Sequence, residues 1–205
     1  MRILLLNYEY PPLGGGAGNA TQYLLSELAK EPEIAVDLVT SSVDRARLER
    51  PSERQTLHFL DIHRKGGLHY QSNKDLLSYS WQAWRYARGL TRRHEYDVCH
   101  AFFGIPCGFI AMHLALPYIV SLRGSDVPFY NERFRNLDRL LFQRLSRRIW
   151  RKAGRVVANS EGLRSLALES APSQAIDVIC NGVDTEAFHP SPRTGHGLRA
   201  ICVSR

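Results

Sequence analysis

The chain has 205 residues, 44% of them hydrophobic and 23% charged, and carries a formal net charge of +7. These values suit one globular domain with a fragment of a second, and exclude a disordered chain. No apolar run approaches the ~20 residues of a spanning helix, and Asn7, Tyr8 and Glu9 cut the opening Met1–Leu6 run below signal-peptide length.

The elements follow in chain order. Ile3–Leu6 is a short apolar run and predicts a buried parallel strand. It runs through Tyr10-Pro11-Pro12 into Gly14-Gly15-Gly16-Ala17-Gly18. A helix is predicted from Asn19 to Lys30, with Leu24, Leu25 and Leu28 on one face, and a strand from Ile34 to Thr40. Strand, glycine loop, helix and strand open a doubly wound α/β domain. Arg45–Arg54 reads as a charged surface excursion, Phe59–His63 as a short strand, and Asn73–Arg93 as a helix with Leu76, Ala83, Tyr86 or Ala87, and Leu90 along one face. Strands at Asp97–Phe102, Tyr118–Leu122, Val156–Ala158 and Ile176–Cys180 alternate with helices at Gly108–Leu114, Arg135–Lys152 and after Asn159-Ser160. Pro190 to Gly197 has linker composition, and Arg199–Val203 starts a new strand. The expected organisation is a Rossmann-like domain over 1–190, then a linker and the first strand of a second domain over 191–205. Cys99, Cys107, Cys180 and Cys202 form no CxxC pair and are expected to be buried free thiols rather than metal ligands.

Several constellations can carry chemistry. The glycine run follows the first strand, where ligands of open α/β sheets bind, and its amides can approach a phosphate closely. It is neither a P-loop, having no Gly-Lys-Ser/Thr, nor a complete dinucleotide fingerprint. Arg123-Gly124-Ser125-Asp126 follows another strand; an Arg there can hold an anion through its fork of donors, while Asp126 can orient it or simply cap a turn. Asn159 and Ser160 close the next strand, and Ser160 also suits a helix N-cap. His100 lies in a strand and is either a core residue or a site residue. The 135–152 helix is strongly basic, with Leu137, Leu141 and Leu145 as an apolar stripe. Its polar face is either solvated or laid on anionic lipid. No recognised nucleic-acid motif accompanies the charge, so nucleic-acid binding is disfavoured.

Taken in order, these pieces resemble glycosyltransferase family 4. The resemblance rests on Tyr10-Pro11-Pro12-Leu13-Gly14-Gly15-Gly16, Asp97-Val98-Cys99-His100-Ala101, the strand ending in Arg123-Gly124-Ser125-Asp126, and Val157-Ala158-Asn159-Ser160. It rests most of all on Ile176-Asp177-Val178-Ile179-Cys180-Asn181-Gly182-Val183-Asp184 with Phe188 and Pro190. Arg123 stands where the family has His, and Cys180 where it has Pro. The resemblance implies the N-terminal, acceptor-side half of a GT-B fold. It also implies a retaining, metal-independent transfer from a nucleotide-diphosphate sugar, with no cofactor beyond that co-substrate; the free thiols and the basic helix, for their part, point to the cytoplasm or the inner face of the membrane. Gly15 and Gly16 would approach the donor diphosphate. Arg123 and Asp126 would act at the reacting centre. Asn159, Ser160 and His100 would face the acceptor. The family's Glu-x7-Glu element belongs to the second domain, so neither half is expected to turn over alone. The competing expectations are a sugar-nucleotide epimerase of the same architecture, or a basic module binding membrane or nucleic acid.

Overall fold

The computed structural model describes residues 1–63, 67–68, 71–130 and 141–189. Its strands are β1 (Arg2–Leu6), β2 (Ala35–Ser41), β3 (Arg47–Ser52), β4 (Gln55–Leu60), β5 (Val98–Phe102), β6 (Tyr118–Leu122), β7 (Arg155–Ala158) and β8 (Asp177–Val178). The helices are α1 (Gly16–Leu28), α2 (Asn73–Arg93), α3 (Phe109–Ala111), α4 (Gln143–Lys152) and α5 (Glu161–Ser170). The strands form one sheet in the order β3-β4-β2-β1-β5-β6-β7-β8. Every pairing is parallel except β3 with β4. This is the Rossmann-like α/β architecture expected of one half of a GT-B fold.

The centre of the sheet explains why its strands were legible. Leu4, Leu5, Leu6, Leu38, Val39, Cys99, Ala101, Val120 and Leu122 are all buried. A parallel strand covered on both faces must be apolar throughout, and that is the signal the sequence carries. Helix α2 covers one face through Tyr79, Ala83, Ala87 and Leu90. Its start is set by a capping box, in which Ser72 accepts from the Asp75 amide and Asp75 accepts from the Ser72 amide. Helix α4 buries Ile149 and Trp150 and packs against the loop after β5. A Cβ on Gly108 would sit 2.9 Å from Ile149, so only glycine allows that approach.

Several expectations change. Residues 45–54 are not a mere excursion: β3 lies within them and pairs antiparallel with β4 at the sheet edge. Its middle is exposed, so it shows no apolar alternation, and Pro51 is tolerable only on such an edge. The neighbouring strand runs over Gln55–Leu60 rather than 59–63. Its buried Gln55 and His58 hid it. Gln55 Nε2 donates to the Leu25 carbonyl at 2.6 Å, and His58 joins a polar cluster. Helix α1 starts at Gly16, inside the glycine run. The helix expected at Gly108–Leu114 is a π-type turn over Gly104–Gly108 continued by the short α3. Cys99 and Cys107 are buried, whereas Cys180 is exposed. The 191–205 segment, Cys202 and residues 135–140 lie outside the described residues.

The polar cluster is a stability element. Asp37 is buried on β2, accepts from Arg2 at 3.0 Å and from the Tyr96 hydroxyl at 2.8 Å, and meets His58 Nε2 at 3.1 Å. Burial alone would raise its pKa, but these hydrogen bonds and the Arg2 charge together hold it down to about 2. A carboxyl depressed in the fold stabilises above its unfolded pKa, and that stabilisation fades as pH falls toward the folded value. The contribution is about 2–3 kcal/mol at neutral pH, lost between about pH 5 and pH 2. Asp37→Asn is therefore expected to lower Tm by about 5–10 °C at pH 7. Thermal melts followed by circular dichroism across this pH range should show the gap from wild type narrowing in acid. A gap independent of pH would show that the charge of Asp37 is not what stabilises.

Candidate functional site

Parallel strands deliver their C-terminal ends to one edge of the sheet. The loops after β1, β5, β6, β7 and β8 therefore share that edge. From β1 the chain builds outward through β2 and β4, then returns to place β5 on the other side of β1. This order reversal opens a crevice above β1 and β5, the place where open α/β sheets bind ligands. Tyr8, just past β1, stacks on Phe103, just past β5, with ring centroids 4.6 Å apart. That pair floors the reversal point.

The glycine loop rises beside it. Gly14 has φ +88, and a Cβ there would lie 2.5 Å from the Glu9 side chain. Gly15 precedes the first turn of α1 and donates its amide to the Glu9 carboxylate at 3.1 Å. Nothing lies within 4 Å of a Cβ built on Gly16, so that position faces open space. The first turn of α1 contains no acidic side chain. Its dipole thus favours an anion, beyond the Glu9 carboxylate already on the Gly15 amide. Pro11, Pro12, Leu13, Gly14, Gly15, Gly16 and Asn19 line an open depression of about 440 Å³ here. Asn7 anchors the helix to β1 by donating to Thr21 Oγ1 at 2.7 Å.

The loop after β6 is organised by Asp126. One carboxylate oxygen accepts the Arg123 and Gly124 amides at 2.9 and 3.0 Å. The other accepts the Gly104 amide at 2.6 Å, so Asp126 ties the β6 loop to the β5 loop. Burial pushes this carboxyl above the ordinary range, and the backbone donors oppose the shift. Gly124 needs its positive φ of +123, and a Cβ there would meet the Tyr130 ring at 3.0 Å. Arg123 itself lies over the Phe102 ring at 4.0 Å and donates to Asn181 Oδ1 at 2.8 Å. Burial lowers its pKa to about 10, against the pull of Asp126, and leaves it cationic at neutral pH. Its Nε is buried without a hydrogen-bond partner. A partly used guanidinium at a strand end is suited to a phosphate or carboxylate.

His100 is partly buried on β5 and meets Ser121 Oγ at 2.8 Å. Burial, followed by the Arg123 charge, lowers its pKa to about 4, which makes it neutral at pH 7. Ser160 caps α5 by accepting from the Leu163 amide at 3.2 Å. Asn159 is partly buried at the same edge. The structure thus brings Arg123, Asp126, Phe102 and Asn181 together with His100 nearby. Arg123, Asn159 and Ser160 are not among the residues lining the glycine-loop depression. Asn181 joins this group without having been singled out from the sequence as a candidate. It sat in view in the Asn181-Gly182 segment, but its partner is 58 residues away in sequence. Among the described residues no group of three or more His, Cys, Asp or Glu could hold a metal ion.

The same architecture recurs in solved structures. Sucrose-phosphate synthase from Thermosynechococcus elongatus matches with TM-score 0.73 and 15% identity over 93% of this chain and 50% of its own. A trehalose-6-phosphate protein from E. coli, bound with UDP-2-fluoro glucose, matches with TM-score 0.56 and 10% identity over 94% and 52%. UDP-GlcNAc 2-epimerase from Neisseria meningitidis, bound to UDP-GlcNAc, matches with TM-score 0.50 and 14% identity over 87% and 45%. The chain spans about half the length of these proteins, and at such identities the likeness is one of fold. No curated protein matches the sequence. The model of one family, Glycosyltransferase Family 4, matches residues 14–187, from the glycine loop to the segment after Asn181. With the glycine loop, the β6 loop and the Asn181 segment all inside that match, the chain belongs to Glycosyltransferase Family 4.

Proposed function

We propose that the chain is the acceptor-side half of a hexosyltransferase that uses a nucleotide-diphosphate sugar, with 1–190 as this half and 191–205 leading into a second domain. The observation that carries the reading is a cation with an unpartnered donor, Arg123, on the same sheet edge as the glycine loop and the N-terminus of α1, whose first turn holds no acidic side chain of its own. Two anion-favouring elements on one sheet edge, the glycine loop after β1 and Arg123 after β6, suit a leaving diphosphate, whose charge grows as the glycosidic bond breaks. In this reading Gly15 and Gly16 admit the diphosphate and Arg123 faces the reacting centre. His100, Asn159 and Ser160 belong to the acceptor side, where a neutral His100 can exchange hydrogen bonds with a sugar hydroxyl. Asp126 sets the loop that carries Arg123. Transfer is retaining and needs no metal.

The test uses the protein in a form that carries the second domain, with a panel of nucleotide-diphosphate sugars and acceptors. Transfer with anomeric retention, unaffected by EDTA, is expected. Inversion, or loss with EDTA, would overturn the corresponding part. Epimerised sugar nucleotide without transfer would favour the epimerase reading, which the Neisseria likeness keeps relevant.

Gly16 offers a sharper check. A side chain there meets nothing in the structure, so Gly16→Val is expected to change Tm by no more than about 2 °C. It would nevertheless stand in the open space before the α1 amides. A donor KM raised about tenfold, with little change in kcat, is the expected result. An unchanged KM would place the diphosphate elsewhere.

A further inference from the structure

Helix α2 carries a second surface that sugar transfer does not explain. Its buried face uses Tyr79, Ala83, Ala87 and Leu90. At 3.6 residues per turn, Lys74, Leu77, Trp81, Trp84, Arg85, Arg88 and Arg92 form a stripe on the opposite side. Leu77 is 71% exposed and Trp81 59% exposed, while Trp84 is partly buried beside Trp81 with ring centroids 5.5 Å apart. Arg85 lies over Trp81 and Arg88 over Trp84. The only acid of α2, Asp75, is buried in the helix cap. Among the described residues, none of Lys74, Arg85, Arg88 and Arg92 is in an ion pair.

We propose that this face of α2 docks the protein on an anionic lipid bilayer. Three features favour lipid over other occupants. Tryptophan and leucine at a basic helix face are the composition of interfacial helices, with the rings at headgroup depth and the arginines on lipid phosphates. The stripe carries Lys74 at one end and Arg85, Arg88 and Arg92 at the other, with Leu77 and Trp81 between them, which matches an extended anionic surface. The stripe holds no acidic side chain, so the same face of a second copy would meet it with like charge. The basic helix α4 is a poorer candidate, because among its described residues the apolar side chains Leu145, Ile149 and Trp150 already pack on the core. This inference is independent of the transfer reading.

The test is co-sedimentation of the full 205-residue chain with vesicles of phosphatidylglycerol and phosphatidylcholine, against phosphatidylcholine alone. Binding only to the anionic vesicles, weakened between about 0.1 and 0.5 M salt, is expected. Tryptophan emission should shift to the blue on binding, because the exposed Trp81 leaves water while Trp84 is already partly buried and Trp150 fully so. The double variant Arg85→Glu/Arg88→Glu should bind at least about 30-fold more weakly. Leu77→Ser/Trp81→Ala should lose most of the binding and the spectral shift. Arg144→Glu/Arg148→Glu on α4, with exposed side chains, should bind within about threefold of wild type. All these positions are at the surface, so melting curves should stay near wild type and show that the fold is kept. Equal loss from the α2 and α4 charge variants would mean diffuse attraction and overturn the docking face. So would the absence of vesicle binding, or a concentration-dependent dimer that the α2 variants abolish.

Discussion

Arg123→Ala is expected to lower turnover by about 10²–10³-fold, in the form carrying the second domain, while shifting Tm by only about 2–4 °C. The first figure is that of removing one pre-aligned charge-stabilising donor from a transfer site. The second follows from what Arg123 gives the fold. It makes one hydrogen bond to Asn181 and one contact over Phe102, together worth about 1 kcal/mol. Against that, its burial is unfavourable to the charge, as its lowered pKa of about 10 records. A residue that is held half-desolvated, with Nε unpartnered, gives little net stability. Arg123→Lys keeps the charge but not the fork, so partial recovery is expected. Steady-state kinetics and melting curves on the same preparations decide the matter. A large fall in Tm with turnover per folded molecule unchanged would make Arg123 a structural residue.

Asp126→Ala is expected to do the opposite in proportion. It removes the acceptor of three backbone amides, those of Gly104, Arg123 and Gly124. Gly104 and Gly124 are buried, and each buried donor left unpaired costs about 1–3 kcal/mol. A loss of about 3–5 kcal/mol, or roughly 10 °C in Tm, follows. Turnover should fall too, because the β5 and β6 loops come apart and Arg123 loses its anchor. Asp126→Asn retains one acceptor oxygen and should recover part of both properties. If Asp126→Ala melts like wild type yet is inactive, the carboxylate takes part in the chemistry directly and its role as a loop tie is wrong.

Reading this chain from its residues worked where a local pattern has one physical cause. Strands β1, β5 and β6 are short apolar runs because both faces of a parallel sheet are covered, and α2 shows its periodicity because only one face is buried. The alternation of these elements, together with the glycine run after β1, was enough for the α/β class and for the side of the sheet on which a site would form. Strand β3 was hidden because an exposed edge strand has no apolar alternation to display. Strand β4 was misplaced because Gln55 and His58 look like surface residues until Leu25, Asp37 and Tyr86 are seen to satisfy them.

The site residues divide in the same way. Arg123 and Asp126 were visible as a polar motif at a strand end, but their separate duties were not. Asp126 faces inward because two loops from different strands supply amides at the distances a carboxylate needs. Arg123 meets Asn181 only because β6 and β8 flank β7 in the finished sheet. Hydrophobic periodicity acts over a few residues and is written in the chain itself. The pairing of polar groups acts across the sheet, between residues that share an edge only after the strands have taken their order.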